Sequence, residues 1–223
     1  MWKRLGVLVL VLCTAFIPGC EPSGTGDVSV RWAVGLTGSC SEASLDYVVA
    51  RLETDEGILV ARQDEYCAAG LVRFNDVPVG SFRARLVGYD EQNVEAYEAT
   101  VSDIAVQEGL EGGPYLGRLA PRPARISLLW FFEGGRLCSA YGVDRIVVHL
   151  FSDDTELLRD DFSCNRGEAL LEDLRSGVYD VRLDAVDARG QVTHAFVLAG
   201  LKLRPGHQVD LETSLVACNG QCL

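Results

Sequence analysis

The sequence predicts an all-β protein built from two tandem β-sandwiches of the seven-strand type, placed after an N-terminal signal helix. Three observations predict this. First, the chain repeats itself: Gly80, Phe82, Leu86 and Asp90 are echoed 97 residues later by Gly177, Tyr179, Leu183 and Asp187. Second, short stretches of alternating apolar and polar residues are separated by turn clusters, and no stretch has a helical period; this is the signature of strands joined by tight turns. Third, four cysteines fall at matched places in the two copies, Cys40 with Cys138 and Cys67 with Cys164.

The chain opens with Lys3 and Arg4 and an apolar run from Leu5 to Ile17. That run is too short to span a bilayer as a helix and fits a secretory signal over residues 1–19. It ends in Ile17-Pro18-Gly19-Cys20. This segment resembles the lipobox of bacterial lipoproteins. The resemblance implies cleavage before Cys20 and lipid, palmitate included, on its thiol and amine. It further implies a membrane anchor at Cys20 and a place in the cell envelope, in the outer membrane rather than the inner, facing periplasm or exterior. Residues 20–26, with Pro22, Ser23, Gly24 and Gly26, read as a flexible tether.

The formal net charge of −12 becomes −14 once Lys3 and Arg4 are removed. Nucleic-acid binding runs on clustered Lys and Arg, so that class of partner is excluded. Of the eight cysteines, Cys13 leaves with the signal and Cys20 is assigned to lipid. Six remain, an even number that favours disulfides in an exported chain. The repeat assigns Cys40–Cys67 and Cys138–Cys164, one bridge within each unit, and leaves Cys218–Cys222. In the last pair Asn219-Gly220 makes the turn that brings the thiols together.

The first unit spans residues 27–119 and the second 125–217, joined by the Pro linker 120–124 and followed by a Cys-loop tail, 218–223. Val28, Val30, Trp32 and Val34 alternate with polar or small residues and take the same inward places as Ile126, Leu128, Trp130 and Phe132. Both tryptophans are therefore core. Val48, Ala50 and Leu52 match Ile146, Val148 and Leu150, with Arg51 and His149 on the opposite face; His149 reads as a solvated strand residue. Ile58–Gln63 and Glu156–Asp161 read as third strands. At Val77-Pro78-Val79-Gly80 the chain turns, with Gly80 supplying φ > 0. Phe82, Ala84 and Leu86 then point inward, as do Tyr179, Val181 and Leu183. The aromatic two residues past each glycine is placed to anchor a corner. Asp90-Glu91-Gln92-Asn93 and Asp187-Ala188-Arg189-Gly190 are turns. Val94–Val106 and Gln191–Leu203 make either two short strands or one bent one. Glu108–Gly113 reads as a mobile loop, and Tyr115–Leu119 and Gln208–Leu215 as the closing strands. The outer face of the first strand carries Leu129 and Phe131 in unit two where unit one has Arg31 and Ala33. Such a pair calls for cover by unit one or a partner.

The segments around Val77–Phe82 and Leu174–Tyr179 resemble the prealbumin-like domains called carboxypeptidase regulatory-like. There an apolar residue and a glycine lead into an aromatic, an alternating strand and an Asp-rich turn. The resemblance implies an accessory or structural module of the kind attached to enzymes, receptors and adhesins. An immunoglobulin-like or fibronectin-like sandwich fits the strand spacing as well.

No Gly-x-Ser-x-Gly, His-Glu-x-x-His, phosphate-binding glycine loop or Cys–His dyad is present. His149, His194 and His207 all lie in unit two, without ligands at metal spacing. Asp153-Asp154 with Glu156, Asp160-Asp161 and Asp90-Glu91 read as solvated loops, with weak calcium binding as the other reading; none follows a calcium-loop spacing. The expectation is thus a non-catalytic, lipid-anchored envelope module with a protein partner and with neither cofactor nor metal. The alternative is a carbohydrate- or peptide-binding module, for which Tyr89, Tyr97 and Phe151 on outward faces would form the platform. An enzyme would require a pocket holding His194 or His207 beside a carboxylate.

Overall fold

The computed structural model describes residues 24–35, 38–135 and 137–218. The signal segment, Cys20 and Cys222 lie outside these residues. Unit one contains β1 (Thr25–Val34), β2 (Leu45–Glu53), β3 (Leu59–Tyr66), β4 (Leu71–Pro78), β5 (Gly80–Asp90), β6 (Glu95–Val106) and β7 (Glu111–Pro121). Unit two repeats them as β8 (Ala124–Phe132), β9 (Val143–Ser152), β10 (Thr155–Ser163), β11 (Glu168–Leu174), β12 (Gly177–Asp187), β13 (Val192–Leu203) and β14 (Gln208–Ala217). Short 3-10 turns at Cys67–Ala69, Cys138–Tyr141 and Cys164–Arg166 carry three of the cysteines. Among the described residues no helix is long and apolar enough to cross a membrane.

Hydrogen bonding links unit one in the order β3-β2-β5-β6-β7-β1-β4, and unit two in the matching order β10-β9-β12-β13-β14-β8-β11. The β6–β7 link consists only of Tyr97 with Pro121 and Glu98 with Ala120. The sheet folds over at this seam into a three-strand leaf, β4-β1-β7, and a four-strand leaf, β3-β2-β5-β6. β1 is central in its leaf, antiparallel to β4 and parallel to β7. The first two strands thus lie on opposite leaves, whereas the immunoglobulin arrangement puts them on one.

Alternation along these strands fills the space between the leaves. In unit one Val28, Val30, Val72, Phe74 and Leu119 meet Val48, Leu52, Ala84, Leu86 and Ile104, all fully buried. Unit two does the same with Ile126, Leu128 and Leu215 against Ile146, Leu150 and Leu183. Trp32 and Trp130 are core residues, as their alternation requires. Each indole Nε1–H donates to the carbonyl of the second cysteine of its unit, Trp32 to Cys67 at 2.9 Å and Trp130 to Cys164 at 3.0 Å. A buried indole N–H needs such a partner. Both predicted bridges form, Cys40–Cys67 and Cys138–Cys164, with Cα atoms 5.8 and 6.0 Å apart. Cys218 is also disulfide-bonded.

Several expectations are corrected. Gly80 and Gly177 do not adopt positive φ; the left-handed residues are Asp76 and Asp173, at φ 54° and 55°. Asp tolerates that conformation better than most residues. At each glycine a Cβ would sit 3.3 Å from the ring of Phe82 or Tyr179, a tight contact that the glycine avoids. Tyr179 does anchor its corner, donating its hydroxyl to the Arg175 carbonyl at 2.8 Å. Of the two readings for Val94–Val106 and Gln191–Leu203, the single bent strand is the one that forms: β6 and β13 are kinked at the matched residues Asp103 (φ 59°) and Gly200 (φ 71°), where the register shifts as in a β-bulge. The loop expected at Glu108–Gly113 shrinks to a turn. Glu111, Gly112 and Gly113 belong to β7, and the extra residue is absorbed by a register shift against Val28 and Val30. β1 takes in Thr25 and Gly26 from the expected tether, since Thr25 and Gly26 pair with Pro78 and Val77. Only Arg122 and Pro123 separate β7 from β8. Leu129 and Phe131 are not covered by unit one; they remain 41% and 49% exposed. The contacts between the units come from turns instead, among them Asp90 with His207 and Gln92 with Arg204.

Candidate functional site

The sequence left open how the two units meet, and the structure builds a polar junction there from turns. Asp90 ends β5, and its Oδ1 accepts the backbone N–H groups of Gln92 and Val94 at 2.9 and 3.0 Å. Asp187 makes the same turn in unit two, accepting from Arg189 and Gln191. Only Asp90 has a second use: its Oδ2 pairs with Nε2 of His207, in the β13–β14 turn of unit two. Arg204 of the same turn donates to Gln92. Arg122, between the units, pairs with Glu95 and lies 3.9 Å from Glu98. Its backbone N–H donates to Ala96, and its carbonyl accepts from Gly206 at 3.1 Å.

Charge is tuned by these contacts. Burial raises the Asp90 carboxyl, but the Val94 N–H, His207 and Gln92 N–H outweigh it and hold the group below the usual carboxylate range. Glu95 is also held low, chiefly by the Tyr89 hydroxyl and then by Arg122, against the opposing effect of burial. Burial, with Glu95 as acceptor, pushes the Tyr89 hydroxyl up.

Gly206 is the steric key. A Cβ there would lie 2.1 Å from the Glu95 carbonyl oxygen, at φ +72°. Its counterpart Gly109 has a similar φ of +68° but nothing within 4 Å. Both Gly206→Ala and Gly109→Ala should show the strain of a left-handed alanine, about 1–3 kcal/mol. Only Gly206→Ala should also part the units, read as an increased radius of gyration by small-angle scattering. Equal scattering curves for the two variants would show that the junction does not depend on this contact.

The other singled-out residues are dispersed. His194 is buried in unit two between the edges of Phe132 and Tyr141, at 5.0 and 4.9 Å. Burial lowers its pKa. It faces no carboxylate among the described residues. His207 does face one, Asp90, but in a contact that joins the units, and among the described residues no nucleophile is bonded to either group. His149 is not solvated: its side chain is 13% exposed, between Glu156 and Asp184. Both carboxylates come from neighbouring strands, which one-strand spacing could not reveal. Tyr89 is outward and stacks on Tyr47, with ring centroids 4.8 Å apart. Tyr97 points inward against the unit-one core, because it occupies the place of the buried His194. Phe151 lies outward beside His149. Asp153 and Asp154, at φ 49° and 60°, form the two-residue β9–β10 hairpin turn, a geometry that requires positive φ at both central residues. Among the described residues no group of three His, Cys, Asp or Glu side chains is placed to hold a metal. A cavity of about 330 Å³ beside the junction is lined by Asp90, Tyr97, Lys202 and Arg204, among others.

No protein-family model matches the chain, and no curated protein matches it. Solved structures do. The TIE protein of Bacillus anthracis aligns at 12% identity and a TM-score of 0.34, over 86% of this chain and 34% of its own. The chain thus spans about a third of that protein's length. A fimbrial assembly protein from Parabacteroides distasonis aligns at 10% identity and 0.37, over 84% and 90%. The fimbrial anchor protein Mfa2 of Porphyromonas gingivalis aligns at 10% and 0.36, over 87% and 92%. Likeness of this degree assigns no function.

Proposed function

We propose that the chain is a non-catalytic lipoprotein of the bacterial cell envelope, anchored through lipid on Cys20 in the outer membrane and presenting its two sandwiches to a protein partner. The observation that carries this reading is the pair of bridges at matched places, Cys40–Cys67 and Cys138–Cys164. Such bonds persist in oxidising compartments and are rare in the cytosol. Ile17-Pro18-Gly19-Cys20 supplies the export and acylation signal. Several acyl chains hold a protein stably where one would not. β1 begins at Thr25, five residues past Cys20, so the anchor joins the first sandwich through a short tether. The Cys218–Cys222 loop belongs to the same oxidised state. The three histidines are engaged in packing or in ion pairs, His194 against Phe132 and Tyr141, His149 with Glu156 and Asp184, and His207 with Asp90, which supports a module that acts by contact.

The test is acylation at Cys20. Expressed in a bacterial host with labelled palmitate, the protein should take up label, and its N-terminal peptide should carry the mass of acyl groups on Cys20. Cys20→Ala should abolish the label. Wild-type protein should band with outer-membrane markers on a density gradient. An unacylated N-terminal peptide would end the anchor proposal, and banding with the inner membrane would end the assignment to the outer one.

A further inference from the structure

Duplication supplies an internal comparison, because the same sheet face exists twice in one chain. On the outer face of the four-strand leaf of unit two, Arg159, His149 and Arg182 are direct cross-strand neighbours on β10, β9 and β12. Unit one has Arg62, Arg51 and Arg85 at the matching places. Like charges side by side on a sheet repel, yet this acidic chain places three arginines in the row of unit one and two arginines flanking His149 in the row of unit two.

The surroundings of the two rows differ. In unit one the space beside it is filled by Tyr47 stacked on Tyr89, their rings 3° from parallel, with the Tyr47 hydroxyl donating to Asn93 and that of Tyr89 to Glu95. At those four places unit two has Arg145, Val186, Gly190 and Val192. The plug is gone, and an open cavity of about 380 Å³ stands in its place.

Donors in this cavity exceed acceptors. Asp184 is spent on Arg182, at 2.8 Å, and on His149, at 3.3 Å. Glu156 is spent on the other ring nitrogen of His149. Arg159 has no ion pair or hydrogen bond among the described residues. Arg145 Nε is the buried side-chain polar atom left without a hydrogen-bond partner among the described residues; the side chain as a whole is 40% exposed and pairs only at long range, 3.9 Å, with Asp161. Buried unpaired donors are rare, and guanidinium groups match carboxylates in a planar, two-bond geometry. Phe151, whose ring lies near parallel to His149 at 6.0 Å, adds an apolar surface to the same wall.

We propose that this cavity binds a carboxylate carried on a ring with an apolar face, the class to which uronic-acid sugars belong. Arg159 and Arg145 take the carboxylate, and Phe151 takes the face of the ring. The proposal goes beyond the anchor and does not rest on it.

The test is calorimetric titration of the full chain in detergent with galacturonate, galactose, inorganic phosphate and a poly-glutamate peptide. Galacturonate should saturate. Galactose should not bind at the same concentrations, and phosphate should bind at least about tenfold more weakly. Arg159→Gln, at an exposed position without partners, should weaken galacturonate about tenfold or more with an unchanged melting temperature. Arg145→Tyr with Val186→Tyr should rebuild the plug of unit one and abolish binding. The proposal is overturned by absent saturation with galacturonate, by equal binding of galactose or phosphate, or by unchanged affinity in Arg159→Gln. Tighter binding of poly-glutamate than of galacturonate overturns the sugar in favour of an acidic protein.

Discussion

Trp130→Ala is expected to destabilise unit two by about 3–5 kcal/mol, the range for removing a large aromatic from a packed core. Trp130 is 6% exposed in the middle of β8, flanked on its strand by the buried Leu128 and Phe132. Removing it opens a void that neighbouring β-strands cannot close, because their spacing is fixed by backbone hydrogen bonds. It also strips the Cys164 carbonyl of the indole donor. Trp130→Phe separates the two effects. It keeps most of the apolar volume and loses the hydrogen bond, so its cost should fall to about 1–3 kcal/mol, the range for a buried acceptor left unpaired. Urea unfolding followed by circular dichroism measures both, with unit one as an internal reference. A Trp130→Ala midpoint unmoved from the wild type would mean that the indole does not support the core.

Removing a bridge should cost nearly as much. The paired cysteines are separated by 27 residues in unit one and 26 in unit two. Closing loops of that size contributes roughly 3–4 kcal/mol in the chain-entropy model. For a unit of this size 1 kcal/mol moves the melting temperature by about 4–8 °C, so Cys138→Ser with Cys164→Ser should lower the melting of unit two by about 12 °C or more. Cys40→Ser with Cys67→Ser should do the same to unit one. The bridge and the tryptophan act on one site, since each indole holds the carbonyl of a bridged cysteine. Their combined loss should therefore be smaller than the sum of the separate losses. Melting unchanged by reductant, with the thiols shown to be free, would refute the stapling role.

The two-unit layout was legible because duplication repeats constraints along with residues. Asp90 and Asp187 close the same turn, Tyr179 anchors its corner, and the cysteines pair as their matched places require. β4 was harder to see. Val72 and Phe74 alternate correctly, but the left-handed Asp76 shifts the phase before Val77, so the strand read as the approach to a turn. The junction was not legible at all. Asp90 and His207 are 117 residues apart, and nothing local to either predicts that they meet. Gly206 was visible only as the match of Gly109, although the two glycines do different work. The charged cavity does not show in the outward pairs Arg51 with His149 or Arg31 with Leu129, because the difference between the copies lies further along the strands. Comparing outward positions, Tyr47 with Arg145 and Tyr89 with Val186, would have exposed the missing plug.

The parallel pairing of β1 with β7, and of β8 with β14, decides how each sandwich would respond to a pulling force. The chain enters each sandwich at the start of one of these strands and leaves at the far end of its neighbour. Tension along the chain would therefore slide the two past each other rather than peel them apart. A sliding pair must break its inter-strand bonds together, whereas a peeling pair loses them one at a time. Each sandwich is thus wired to resist pulling between its two ends, the direction in which a body tethered at its amino terminus and gripped beyond it would be drawn.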